Sequence, residues 1–117
     1  MEAEQVFKAV ADHHRRQLLD SLAHADGQTL TELCASMPMS RIGVMKHLGI
    51  LEQAGLITTS KVGREKLHFL NPEPLQNVDS WLAGYRQRWN ERMDRLEDLI
   101  NRKQSSERAK EQKDDET

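Results

Sequence analysis

Ser40, Arg41, Ile42, Gly43, Met45, Lys46 and His47 crowd one short segment, and Lys61, Arg64 and Lys66 follow it. Across residues 40–66 there are five lysines and arginines against two acids, in a chain of 117 residues whose net charge is −2. A guanidinium can pair bidentately with guanine O6 and N7, and an isoleucine can meet a thymine methyl. Lysines and arginines nearby can neutralise phosphates. A local basic strip on an otherwise acidic chain is the footprint of a surface that faces nucleic acid.

Two helices joined by a tight turn must position this strip, and residues 29–56 supply them. The first helix is short, with Leu30, Leu33 and Cys34 apolar. Thr29 and Glu32 have capping-box spacing, yet Thr31 also fits a cap; the preferred start is Thr31, with Leu30 extended. Pro38 in Met37-Pro38-Met39 cannot continue a helix interior. Ser40 can then cap a second helix whose Val44, Leu48 and Leu51 form one buried stripe. Ile42, Lys46, Gly49 and Gln53 lie opposite, flanked by Arg41 and Gly43. Gly43 reads as a place where the helix can approach a duplex closely. Gly55 supplies the stop. A short helix, a turn and a helix with a basic, small-residue outer face is a helix-turn-helix, whose second helix fits the major groove.

A hairpin is expected next. Ile57-Thr58-Thr59-Ser60-Lys61 and Lys66-Leu67-His68-Phe69-Leu70 are rich in β-formers, and Val62-Gly63-Arg64-Glu65 supplies a glycine turn. Leu67 and Phe69 should pack, leaving Lys66 and His68 on the other face. Placed after a helix-turn-helix, such a basic hairpin is a wing. Its Lys61, Arg64 and Lys66 can reach phosphates.

Earlier in the chain, Ala3–Val10 reads as a helix with Val6, Phe7 and Val10 on one side. Asp12 can cap a second helix, His13–His24, which ends at Ala25-Asp26-Gly27. After Asn71-Pro72-Glu73-Pro74 a long helix is expected over residues 74–103. Val78, Leu82, Tyr85, Trp89, Met93, Leu96 and Ile100 recur on it at three- and four-residue steps, widened by Trp81. That stripe is longer than one small domain can cover and calls for a partner helix. The expected dimer interface comprises Val6, Phe7, Val10, Val78, Trp81, Leu82, Tyr85, Trp89, Met93 and Leu96. The domain therefore spans residues 1–103, and residues 104–117 read as a disordered polar tail.

Other chemistries fare less well. His13 and His14 are adjacent on a helix and face different ways, a poor ligand pair. With Arg15 and Arg16 they read as a solvated or phosphate-facing edge. There is no glycine-rich phosphate loop. Ser40 and His47 are about 10 Å apart along one helix, too far for a nucleophile and its base. No enzyme activity and no cofactor are expected. One cysteine excludes an intrachain disulfide and fits a reducing cytoplasm. No apolar run reaches membrane-span length and no signal-peptide pattern opens the chain.

Residues 6–101 resemble the ArsR/SmtB family of bacterial winged helix-turn-helix repressors. The resemblance is carried by DHHRRQLLDSL, by LTELCASMPMSRIGVMKHLGILEQAGLI and by KVGREKLHFL. It implies a mainly α fold with a small β-hairpin wing and a long C-terminal dimerisation helix. It also implies a homodimer built on the first and last helices, with recognition helices in successive major grooves of an imperfect palindrome. Repression of a promoter, relieved by an inducer, follows from the same likeness. The family's soft-metal sensors carry two or more cysteines near Glu32-Leu33-Cys34, where this chain has one. Its zinc and nickel sensors carry histidines on the last helix, where this chain has none after His68. The likeness is thus to a subgroup without evident metal sites. Two alternatives stand beside the dimeric regulator. One is a winged helix that binds protein; the other is a metal or redox sensor acting through Cys34.

Overall fold

Helices α1 (Ala3–Val10), α2 (His13–His24), α3 (Leu30–Ala35) and α4 (Arg41–Gln53) come first, then strands β1 (Ile57–Val62) and β2 (Glu65–Leu70). A 3-10 turn at Glu73–Leu75 leads into α5 (Gln76–Asp115). This computed structural model describes residues 3–115, with side chains to residue 110. The chain forms two units, divided between Ser80 and Trp81.

The first unit is built on leucines and valines that helical spacing brings to one side. Val6, Leu18, Leu22, Leu33, Val44, Leu51 and Leu56 are essentially without solvent contact. Burying each such side chain favours folding by about 1.5–3 kcal/mol. Val6 is therefore spent inside its own chain and offers no area to a partner, contrary to the expectation from the sequence. Val10 and Val78 pack, partly buried, against the same core, and Phe7 is half-buried.

Caps set the helix limits. Asp12 accepts from the backbone N–H of His14 and Arg15 and starts α2. The start of α3 corrects the sequence reading: Thr29, not Thr31, is the cap, and Leu30 is helical. Thr29 Oγ1 accepts from Glu32 N at 3.2 Å, while Glu32 Oε1 accepts from Thr29 N at 3.4 Å. This reciprocal box satisfies two orphan donors where Thr31 would satisfy one. Thr29→Ala should lower stability by about 1 kcal/mol in urea unfolding, and Thr29→Ser should restore most of it. At the end of α4, Gly55 adopts φ +77°. Leu56 N then reaches Leu51 O at 3.0 Å and Gly55 N reaches Glu52 O at 3.0 Å, the Schellman pattern.

The hairpin pairs Ile57 with Leu70 and Val62 with Glu65, leaving Gly63-Arg64 as a two-residue turn. Gly63 has φ +63° and no non-glycine residue among those described has positive φ, so the turn has the type II′ pattern. The facing of β2 corrects the expectation. His68 is 4% exposed, whereas Leu67 and Phe69 are only half-buried. The cause is tertiary. Leu70 shares the face of His68 and must reach the core. His68 N and Nδ1 both donate to Gln28 O, at 2.8 and 3.0 Å, which satisfies the buried ring. Phe69 covers Gly27 from the other face, where a Cβ would lie 3.1 Å from its ring.

In the second unit, the part of α5 from Trp81 carries a stripe of exposed large apolar groups: Trp81, Leu82, Tyr85, Trp89, Met93 and Leu96. The Trp81 and Tyr85 rings meet edge-on, 5.1 Å between centroids. The helix continues to Asp115, so residues 104–115 are helical where a disordered tail was expected. Gln104, Glu107, Arg108, Ala109 and Lys110 are good helix formers, and no glycine or proline follows Gly84 to stop them. Residues 116 and 117 of that tail lie outside the described residues. No helix among the described residues is long and apolar enough to cross a membrane.

Candidate nucleic-acid interface

The Met37-Pro38-Met39 turn delivers the chain from α3 to α4. Met37 is buried, and its N–H donates to Cys34 O at 3.2 Å. Cys34 itself is half-buried and packs against the core. Ser40 then caps α4 by accepting from Gly43 N at 3.1 Å. With Val44, Leu48 and Leu51 turned inward, α4 presents its other side to solvent. Ile42 is 79% exposed and Met45 53%, beside exposed Arg41 and Lys46. Large apolar groups left in water on a basic helix mark a contact surface.

The wing brings its cations to the same side of the unit. Arg41 and Met45 of α4 and Arg64 and Lys66 of the hairpin border one open cleft of about 680 Å³. Lys61 and Arg64 are exposed, and Lys66 Nζ stands 3.5 Å from Glu52 Oε1. Such a surface pair is weak and leaves the lysine available to a phosphate. Arg41 NH1 donates to Thr31 Oγ1 at 3.3 Å, so α3 steadies the guanidinium. Sequence reasoning misses Thr31 in this part, because it assigns that residue to the cap.

Two of the expected site residues serve other contacts. A Cβ on Gly43 would stand 3.3 Å from Met39 Sδ and 3.4 Å from Ser40 Oγ, so this glycine also gives the preceding turn room. Of the two glycines of α4, Gly49 is the one with open space before it. His47 is half-buried and faces α2. Arg15 NH1 lies 3.3 Å from His47 Nδ1, and the His14 and His47 rings are 6.0 Å apart. His13 and Arg16 are exposed, as a solvated edge requires, while Arg15 is half-buried. Arg15 donates to Ala9 O at 2.7 Å and Lys8 O at 2.9 Å, and Arg16 to Val10 O at 2.8 Å. They satisfy the orphan carbonyls at the end of α1. Asp12, beside them, is held below the usual carboxylate value, chiefly by the Arg15 backbone N–H and also by that of His14 and the charge of Arg15.

A short helix, a tight turn, an exposed basic helix and a basic hairpin at its flank make this a winged helix-turn-helix protein. Residues 10–60 match the family model described as a helix-turn-helix domain. The HTH-type transcriptional regulator YuzN of Bacillus subtilis is 36% identical over 81 residues, 64% of this chain and 88% of that protein. The transcriptional repressor SdpR of Bacillus subtilis is 32% identical over 80 residues, 68% of this chain and 88% of that one. An ArsR family transcriptional regulator of known crystal structure superposes with a TM-score of 0.65 at 34% identity, over 77% of this chain and 95% of the other. An ArsR-like regulator from Rhodococcus sp. RHA1 gives 0.63 at 30% identity, over 83% and 91%. The chain belongs to the ArsR/SmtB family of winged helix-turn-helix transcriptional regulators. It is a DNA-binding regulator and not an enzyme.

Proposed function

We propose that the protein is a homodimeric repressor that binds an imperfect palindromic operator. The observation that carries the dimer is the stripe on α5, where Leu82, Tyr85, Trp89, Met93 and Leu96 are all exposed in the single chain. A second copy of the same stripe is the simplest cover, since a two-fold axis makes a surface its own complement. Two-fold symmetry sets the recognition helices about 34 Å apart, one turn of duplex. Repression is supported by the likeness to SdpR, a transcriptional repressor.

In this reading Ser40, Arg41, Ile42, Met45 and Lys46 meet the major groove, and Lys61, Arg64 and Lys66 meet phosphate. A gel-shift titration with DNA from upstream of the protein's own gene, at stated salt, tests it. A shifted complex that survives competition by unrelated DNA is expected; equal competition by any sequence would overturn the operator. Arg64→Ala should weaken binding to all sequences alike. Removing this cation from both protomers of the dimer should flatten the slope of log affinity against log salt by about 1.8. A change in sequence preference in that variant would instead place Arg64 on a base.

A further inference from the structure

We propose that Asp12, His14 and His47 form a binding site for a divalent cation of the zinc class, which clips the start of α2 to the recognition helix. One ligating atom from each residue lies within 4.8 Å of the other two. His47 comes from α4, 33 residues beyond His14, so the cluster is assembled by the fold. Two imidazoles and a carboxylate suit zinc, which takes ligands at about 2.0–2.2 Å and completes its shell with water. Ligands on one such ion stand about 3.4 Å apart. The three groups therefore close in by small side-chain rotations, without movement of either helix.

The surroundings favour this use. The cap bonds from His14 N and Arg15 N, at 2.8 and 3.1 Å, engage Asp12 Oδ1 and fix the carboxylate. His14 Nδ1 stands 3.9 Å from the same oxygen. A guanidinium can only donate, so Arg15 NH1 at 3.3 Å from His47 Nδ1 implies a lone pair on that nitrogen. An ion taking that lone pair must displace the Arg15 fork as a whole, because the groups bonded to Ala9 O and Lys8 O lie in one rigid plane with the one facing His47. The His13 ring also lies near His14, 5.6 Å between centroids, but the group whose ligating atoms converge is that of Asp12, His14 and His47. The partner is His47.

Zinc titrated into the purified full chain, followed by ring-nitrogen NMR, tests the site. One equivalent should bind. The ring signals of His14 and His47 should move while those of His13, His24 and His68 stay in place. His14→Ala and Asp12→Asn should each weaken binding by about tenfold or more. Asparagine is as good a helix cap as aspartate, so the second variant keeps the fold while removing the charge. His13→Ala and Cys34→Ser should bind as the parent does. Absence of saturable one-to-one binding would overturn the site. So would a loss in His13→Ala or Cys34→Ser equal to that in His14→Ala. None of these readouts requires DNA, so they stand apart from the operator reading.

Discussion

Trp89→Glu is expected to dissociate the proposed homodimer and remove most of its specific affinity for DNA. Trp89 is 64% exposed in the single chain, so the glutamate costs an isolated protomer little. In a dimer packed on this stripe it would place a carboxylate among Tyr85, Met93 and the same groups of the second copy. A buried charge without a partner is costly enough to prevent association. Each protomer then holds one half-site alone and loses the contribution of the other. The winged unit should stay folded, because Trp89 lies beyond its boundary at Ser80. Sedimentation at micromolar concentration should report a dimer for the parent and a monomer for the variant. Footprinting should report a weakened operator. A parent that sediments as a monomer and protects one half-site as tightly as a full operator would end the dimer model.

Arg41→Ala is expected to relax sequence preference at one base pair per half-site and to cost about 1–3 kcal/mol there. The reason is positional. Ser40 caps α4 immediately before Arg41, so the guanidinium leaves from the first turn, the part of a recognition helix that reaches base edges. Its bond to Thr31 Oγ1 at 3.3 Å orders it without using its second face. A bidentate pair with guanine discriminates against other bases by about the amount given. Binding selections from randomised half-sites, run on parent and variant at one salt concentration, measure the effect. An unchanged preference with uniformly weaker binding would place Arg41 on phosphate instead.

Local rules make much of the fold legible. Asp12 opens α2, Ser40 and Gly55 bracket α4, and each works through bonds to near neighbours in sequence. The same locality explains why Gly63 reveals the hairpin turn. What stays hidden depends on contacts across the chain. His68 reads as an outward residue until Gln28, 40 positions earlier, supplies the acceptor that lets it be buried. Val6 reads as interface until the core closes over it. The continuation of α5 through residues 104–115 hides behind polarity that reads as disorder, although the residue types there favour a helix. At the DNA face, the basic and apolar groups of α4 are visible from spacing alone. The turning of His47 toward α2 is not, since Arg15 and His14 reach it only in three dimensions.

The triple grip of Arg15 has a mechanical consequence. One side chain holds two carbonyls at the end of α1 and a ring on α4, so these elements share a rigid strut. Displacing α1 pulls on the recognition helix even when nothing touches the DNA face. By reciprocity, a duplex that immobilises α4 also tightens α1, with the same coupling free energy in both directions.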